Sequence, residues 1–204
     1  MGTTTLYPGG QSLSSTALAP ADINKVMLDV TCGMLGIVPP DYSQVRDVWQ
    51  TQGQPFQDVN RDVCYVACVP ENVDYRLVRN MAYGGVAAVA TQSWQYTRGW
   101  RVTWTFYGPN ATDRARMAHS ALFIDYFTDQ LAAANLFPLP DPPEPVRVPE
   151  VINAQWFERA DFHCIMYENV TETLNNVGAA TSVEVKVYDG SPDDPVADIT
   201  VQRS

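Results

Sequence analysis

The residues best suited to metal chemistry are Cys64 and Cys68, with His163 and Cys164 as a second pair. Zinc holds each thiolate at about 2.3 Å. Residues 63–69, VCYVACV, read as a buried strand. Positions four apart on a strand share a face but lie ~13 Å apart, so one ion cannot reach both sulfurs. No metal site is therefore assigned. Cys32, Cys64, Cys68 and Cys164 read as reduced, buried thiols acting as small apolar side chains.

Nucleophilic chemistry would need a base beside a hydroxyl, and His119 next to Ser120 is the one such pair. Both fall in a helical pattern, where adjacent residues point apart. Asp125 follows on the same helical pattern, six positions beyond His119, and cannot complete a triad with it. His163 sits in a strand pattern that turns it to solvent or to a neighbouring strand. The carboxylate pairs Asp193 with Asp194 and Asp141 with Glu144 lie in loops with nothing apolar to raise a pKa, as acid–base catalysis requires. G-x-S-x-G, a phosphate-cradling loop and H-E-x-x-H are all missing. No catalytic or cofactor-binding residue is assigned, and the chain reads as a binding or assembly protein. The rival of another class is a small enzyme or ligand-binding protein, with a concave pocket of clustered polar groups.

Five cations remain of interest: Arg98, Arg101, Arg114, Arg116 and Arg159. The formal net charge is −10, which argues against a chain built to grip phosphates. A planar guanidinium does suit a carboxylate on a neighbouring subunit. The alternative is that each arginine is solvated or paired within its own subunit. With Pro142 and Pro143, these residues are the candidates for a subunit interface.

What must position them is a chain of 204 residues with 46% apolar side chains, enough to bury a core of its own. Residues 1–20 lack periodicity and read as a flexible arm. They also lack the basic start and apolar run of a signal peptide, and no stretch approaches the ~20 apolar residues of a membrane span. From 21 to 204 the chain reads as a single α+β domain. Ile23, Val26, Met27, Val30 and Met34 mark a helix over 20–36. Asp41 or Ser43 would cap a short helical stretch carrying Val45, Val48 and Trp49. Strands are expected at 63–69 and near 75–80. Residues 86–96 and 99–107 read as a hairpin, with Thr97, Arg98 and Gly99 as its turn.

In the second of those strands Trp100, Val102, Trp104 and Phe106 share one face, and Arg101, Thr103, Thr105 and Tyr107 the other. The first face needs a helix laid over it. Gly108 and Pro109 break the strand. A helix of about twenty residues over 110–135 then carries Met117, Ala121, Ile124, Phe127 and Leu131 as its apolar stripe, widened by Ala118 and Leu122. Six prolines over 136–151 exclude helix and central strand and favour an extended strap. Residues 154–172 read as one alternating strand, followed by strands at 182–189 and 197–202 with a polar turn at 190–195. The expected architecture is a mostly antiparallel sheet of about five or six strands with two main helices on one face.

Three ordered blocks carry a family resemblance: VRDVWQTQGQPFQDVNRDVCYVACV, then GWRVTWTFYGPNATDRA, then PEVINAQWFERADFHCIMYEN. Together, over roughly residues 22–170, they resemble the neck and tail-terminator family of long-tailed bacteriophages. The resemblance implies a homo-oligomeric ring, usually of six subunits, that caps the tail tube, stops its polymerisation and joins it to the head–tail connector. It implies the tube protein, and a sheath protein in contractile tails, as partners. It further implies assembly in the host cytoplasm, a place in the virion and DNA that traverses the lumen without specific binding. An acidic lumen would keep phosphates from lodging there. Another connector ring or minor tail protein is the nearer alternative.

Overall fold

The alternation at 100–107 holds: Trp100, Val102, Trp104 and Phe106 are all buried. The computed structural model describes residues 3–6, 11–48, 58–72, 79–86, 89–177, 182–187 and 197–202. Its elements run β1 (Thr3–Leu6), β2 (Ser12–Ser15), α1 (Pro20–Met34), β3 (Val45–Asp47), β4 (Val63–Glu71), β5 (Asn80–Val86), β6 (Val89–Tyr107), α2 (Ala111–Ala121), α3 (Asp125–Ala133), β7 (Leu136–Pro138), β8 (Val146–Arg147), β9 (Glu150–Ile152), β10 (Gln155–Phe157), β11 (Arg159–Val177), β12 (Ser182–Val187) and β13 (Ala197–Gln202). Nine strands share one sheet, in the order β1-β2-β11-β6-β4-β3, with β5 on β6 and both β7 and β8 on β11. The class is α+β as expected. The sheet is larger than five or six strands, and it is mixed, because β3 lies parallel to β4. Strands of two or three residues, such as β3, β7 and β8, are too short for alternation to reveal.

The chain forms two compact units: Met1–Thr16, Arg79–Gln95 and Thr171–Ser204 make unit 1, and Ala17–Val78 with Tyr96–Val170 make unit 2. In unit 1, β2 pairs antiparallel with β1 and with β11. The N-terminal segment read as a flexible arm thus contains two strands. β5 pairs antiparallel with β6, from Asn80 opposite Gln95 to Val86 opposite Val89. Trp94 Nε1 donates to Glu172 Oε2 at 2.5 Å, linking β6 to β11. β12 and β13 fall within the strands expected at 182–189 and 197–202, and they form a separate antiparallel pair. The polar turn at 190–195 lies outside the described residues, as does most of the strand expected at 75–80.

Unit 2 holds the core. In α1, Ile23, Met27, Val30 and Met34 are buried, as the three- and four-residue spacing predicts. The helix stops at a left-handed glycine: Gly36 has φ +68°, Gly36 N–H donates to Gly33 O and Ile37 N–H to Cys32 O. This pattern satisfies carbonyls that the helix end leaves open. α1 lies against the aromatic face, where Trp104 Nε1 donates to Thr31 Oγ1 at 2.9 Å. Phe162 of β11 stacks on Trp104 with ring centroids 4.7 Å apart. The aromatic layer is therefore core.

Four local expectations are corrected. Residues 97–99 are not a turn, because β6 runs unbroken through them. Gly99 is buried opposite Glu71, and Arg98 finds a partner across the sheet that a turn would deny it. Residues 45–47 form β3 rather than a helix, and Asp41 Oδ1 accepts from Ser43 N–H in a local turn. Trp49 lies outside the described residues. The helix at 110–135 is two helices, separated at Ile124, whose backbone is extended (φ −93°, ψ 125°). Of the expected stripe, Ala118, Ala121, Leu122 and Leu131 are buried and Phe127 packs against the core, whereas Met117 and Ile124 are half exposed; Ala111 and Ala115 extend the buried face instead. Small alanines let the α2 backbone approach the sheet, and hydrophobicity alone underrates them. Finally, residues 154–172 break at Glu158 between β10 and β11. The alternation shifts there, so Phe157 is buried and Trp156 is 70% exposed.

Candidate functional site

Glu168 sits on the same face of β11 as Ala160, Phe162, Cys164 and Met166, and it is fully buried. A buried carboxylate needs hydrogen bonds and a countercharge. Arg98 Nε donates to Glu168 Oε2 at 2.8 Å, Trp100 Nε1 to the same oxygen at 2.8 Å, and Leu18 N–H to Oε1 at 2.6 Å. The other end of Arg98 donates to Leu18 O at 2.7 Å, and its guanidinium lies 4.9 Å from the Trp100 ring centre. The cluster fastens β6, β11 and the segment leading into α1 to one another. An acid at a position that alternation assigns to the core was the signal in the sequence, and it was missed.

On the opposite side of unit 2, Arg159 forms a second cluster. It donates from Nη2 to Asp161 at 2.7 Å and from Nη1 to Glu150 at 2.9 Å. Tyr107 donates its hydroxyl proton to Glu150 at 2.8 Å, under the Arg159 guanidinium. Burial, then the Glu150 bond, push the Tyr107 hydroxyl up to about 12. The Tyr107 bond, then Arg159, hold the Glu150 carboxyl below its usual range.

The Gly108–Pro109–Asn110 joint is held by Asp62. Its carboxylate accepts from Asn110 N–H at 3.0 Å and Asn110 Nδ2 at 2.9 Å, and it pairs with Arg114 at 3.3 Å. Arg114 also donates to Gln44 Oε1 at 2.8 Å. An anion beside the first turn of α2 is favourably placed.

The interface candidates thus separate. Arg98, Arg114 and Arg159 are engaged within the chain, and Arg101 makes a forked pair with Glu71 near the surface. Arg116 is exposed and has no hydrogen bond or ion pair among the described residues. Pro142 is buried, and its carbonyl meets His119 Nε2 at 3.1 Å, which ties the strap to α2. Pro143 is exposed. His119 also lies edge-on to Phe162, while Ser120 faces solvent.

Burial raises the Cys68 thiol to about 12 and those of Cys32 and Cys164 to about 11, so thiolate chemistry is suppressed there. No cluster of metal-ligating side chains occurs among the described residues. No helix among them is long and apolar enough to cross a membrane.

What unit 2 does present is apolar surface. Phe123, Ile124 and Tyr126 are exposed at the corner between α2 and α3, and Val146, Val151 and Trp156 are exposed along the strap and β10. Large exposed apolar side chains in groups mark contact surfaces. Comparison with curated proteins finds no significant match. The sequence profile of the phage neck terminator proteins, by contrast, matches residues 21–191, from the first turn of α1 past β12. The chain therefore belongs to the phage neck terminator protein family, and with it to the structural components of the phage neck and tail.

Proposed function

We propose that copies of this chain close into a ring, of six subunits, that caps the finished tail tube, stops its polymerisation and joins it to the head–tail connector. The observation that carries this reading is the family match across residues 21–191. The exposed apolar residues at the α2–α3 corner and along the strap support it, since they ask for a protein partner. Of the five candidate arginines, Arg116 is exposed and without an internal partner among the described residues, so it can reach a neighbour's carboxylate, and of the two candidate prolines Pro143 is the exposed one. Net charge −10 fits a lumen that repels the phosphates of DNA in transit. Basic side chains lining the channel would sink that last point.

The test is purified protein on a sizing column with light scattering, followed by addition to polymerising tail-tube protein. A discrete species near six subunits and shorter, capped tubes are expected. A strict monomer that leaves tube length unchanged overturns the reading.

A further inference from the structure

Unit 1 has two open edges of an unusual kind. β1 hydrogen-bonds only to β2 and β5 only to β6 among the described residues. Natural edge strands are guarded by lysine, proline, inward charges or bulges, because an open ladder recruits another strand. β1 is TTTL and β5 is NMAYGGV, with no charge and no proline in either. Residues 80–85 are exposed without interruption, so both faces of β5 are open as well as its edge. Met81 and Tyr83 stand out from it. Other short or outer strands do carry a guard: β3 has Arg46 and Asp47, β8 has Arg147, β9 has Glu150, β7 has Pro138, and β12 and β13 carry Glu184, Lys186 and Asp198.

The directions of the two edges match. β1 is antiparallel to β2, β2 to β11, and β5 to β6. β11 and β6 also run oppositely, since Trp94 reaches Glu172 while Trp100, further along β6, reaches Glu168. Four reversals leave β1 and β5 pointing the same way. A rotation about an axis along the strands keeps that direction, so β5 of one copy meets β1 of the next in parallel. One repeated contact then covers both unguarded edges, β1 and β5, of every copy in a closed ring. A two-fold pairing of β5 with β5 would leave β1 uncovered.

We propose that β5 of one copy pairs in parallel with β1 of the next, over up to the four residues Thr3–Leu6, and that this is a seam of the ring. The inference rests on the ring reading above. Adjacent parallel strands bring facing Cα atoms within the 4.4–6.8 Å or so that a disulfide spans. Thr4→Cys is combined in turn with Met81→Cys, Ala82→Cys and Tyr83→Cys, all exposed positions, and each protein is oxidised and run on a non-reducing gel. The wild-type chain, whose cysteines are buried or half-buried, is the background, and light scattering gives assembly size before oxidation.

A ladder of covalent multimers for at least one double variant, and none for the single variants, is the expected result. In addition, Ala82→Lys should raise the concentration needed for half-assembly by about tenfold or more while the melting temperature stays put. A ring by light scattering with no ladder in any double variant, and with Ala82→Lys assembling normally, overturns the seam and leaves the ring standing. Dimers from Tyr83→Cys alone, with nothing larger, overturn it in favour of a two-fold contact. A monomer throughout overturns both.

Discussion

Arg98 and Glu168 meet at 2.7 Å with the carboxylate fully out of solvent, and the same guanidinium reaches back to the carbonyl of Leu18. Breaking a buried ion pair from one side leaves a lone charge, at a cost of roughly 3–5 kcal/mol. Arg98→Met should therefore lower unfolding stability by about 3 kcal/mol in urea titrations. Glu168→Gln keeps an oxygen for Leu18 N–H and should lose about 1–3 kcal/mol. Equal losses from the two variants would mean that charge is not what matters there.

Gly108 has φ +114°, and a Cβ there would stand 2.6 Å from Asp62 Oδ1 and 2.7 Å from Arg61 O. Gly108→Ala should cost upward of about 3 kcal/mol, backbone strain and clash together. Gly36, at φ +68° with nothing within 4 Å of a built Cβ, should cost only about 1–2 kcal/mol as Ala. Thermal melts of the two variants side by side separate crowding from strain.

The buried face of α2 predicts opposite sensitivities at neighbouring positions. Ala118 is fully buried and Met117 is half exposed. Ala118→Leu should overpack the core by about 1–3 kcal/mol, whereas Met117→Ala should fall within roughly 0.5 kcal/mol of wild type. The reverse order would return Met117 to the core, where the sequence pattern places it.

Tyr107 predicts an alkaline signature. Its hydroxyl holds its proton to about 12 in the folded chain, against about 10 when unfolded. The stability this contributes is complete below pH ~10 and is lost as pH rises through 12. Buried thiols such as Cys68 add a loss of the same sign. In urea midpoints measured from pH 9 to 12, wild type should fall faster than Tyr107→Phe, and the gap between them should shrink. Parallel curves would show that neither burial nor the Glu150 bond holds the Tyr107 proton in solution.

The strand at 100–107 and helix α1 were legible because large apolar residues recur there at a single clean period. The Gly108–Pro109 break was legible because those two residues punctuate any pattern. Arg98 and Gly99 were misread because a local turn preference was outweighed by a partner some seventy positions away in sequence, Glu168. Met117 was misplaced on the α2 face because alanine, not methionine, fills the closest approach to the sheet. β1 was invisible in a run of threonines whose alternation carries no hydrophobic contrast. Of the interface candidates, residue type identified cations correctly but could not reveal which already had internal partners.

Lys25, Arg98, Arg101, Arg114, Arg147 and Arg159 are each held in an ion pair within the chain. That is six of its thirteen basic residues. Those pairs cancel charge one for one, so the formal net charge stays at −10, and two approaching copies meet as like-charged bodies. Ionic strength then becomes an assembly control: the Debye length falls from about 30 Å at 0.01 M to about 8 Å at 0.15 M. Association should strengthen over that range, because screening relieves the repulsion between whole subunits by more than it weakens a single exposed contact such as that of Arg116.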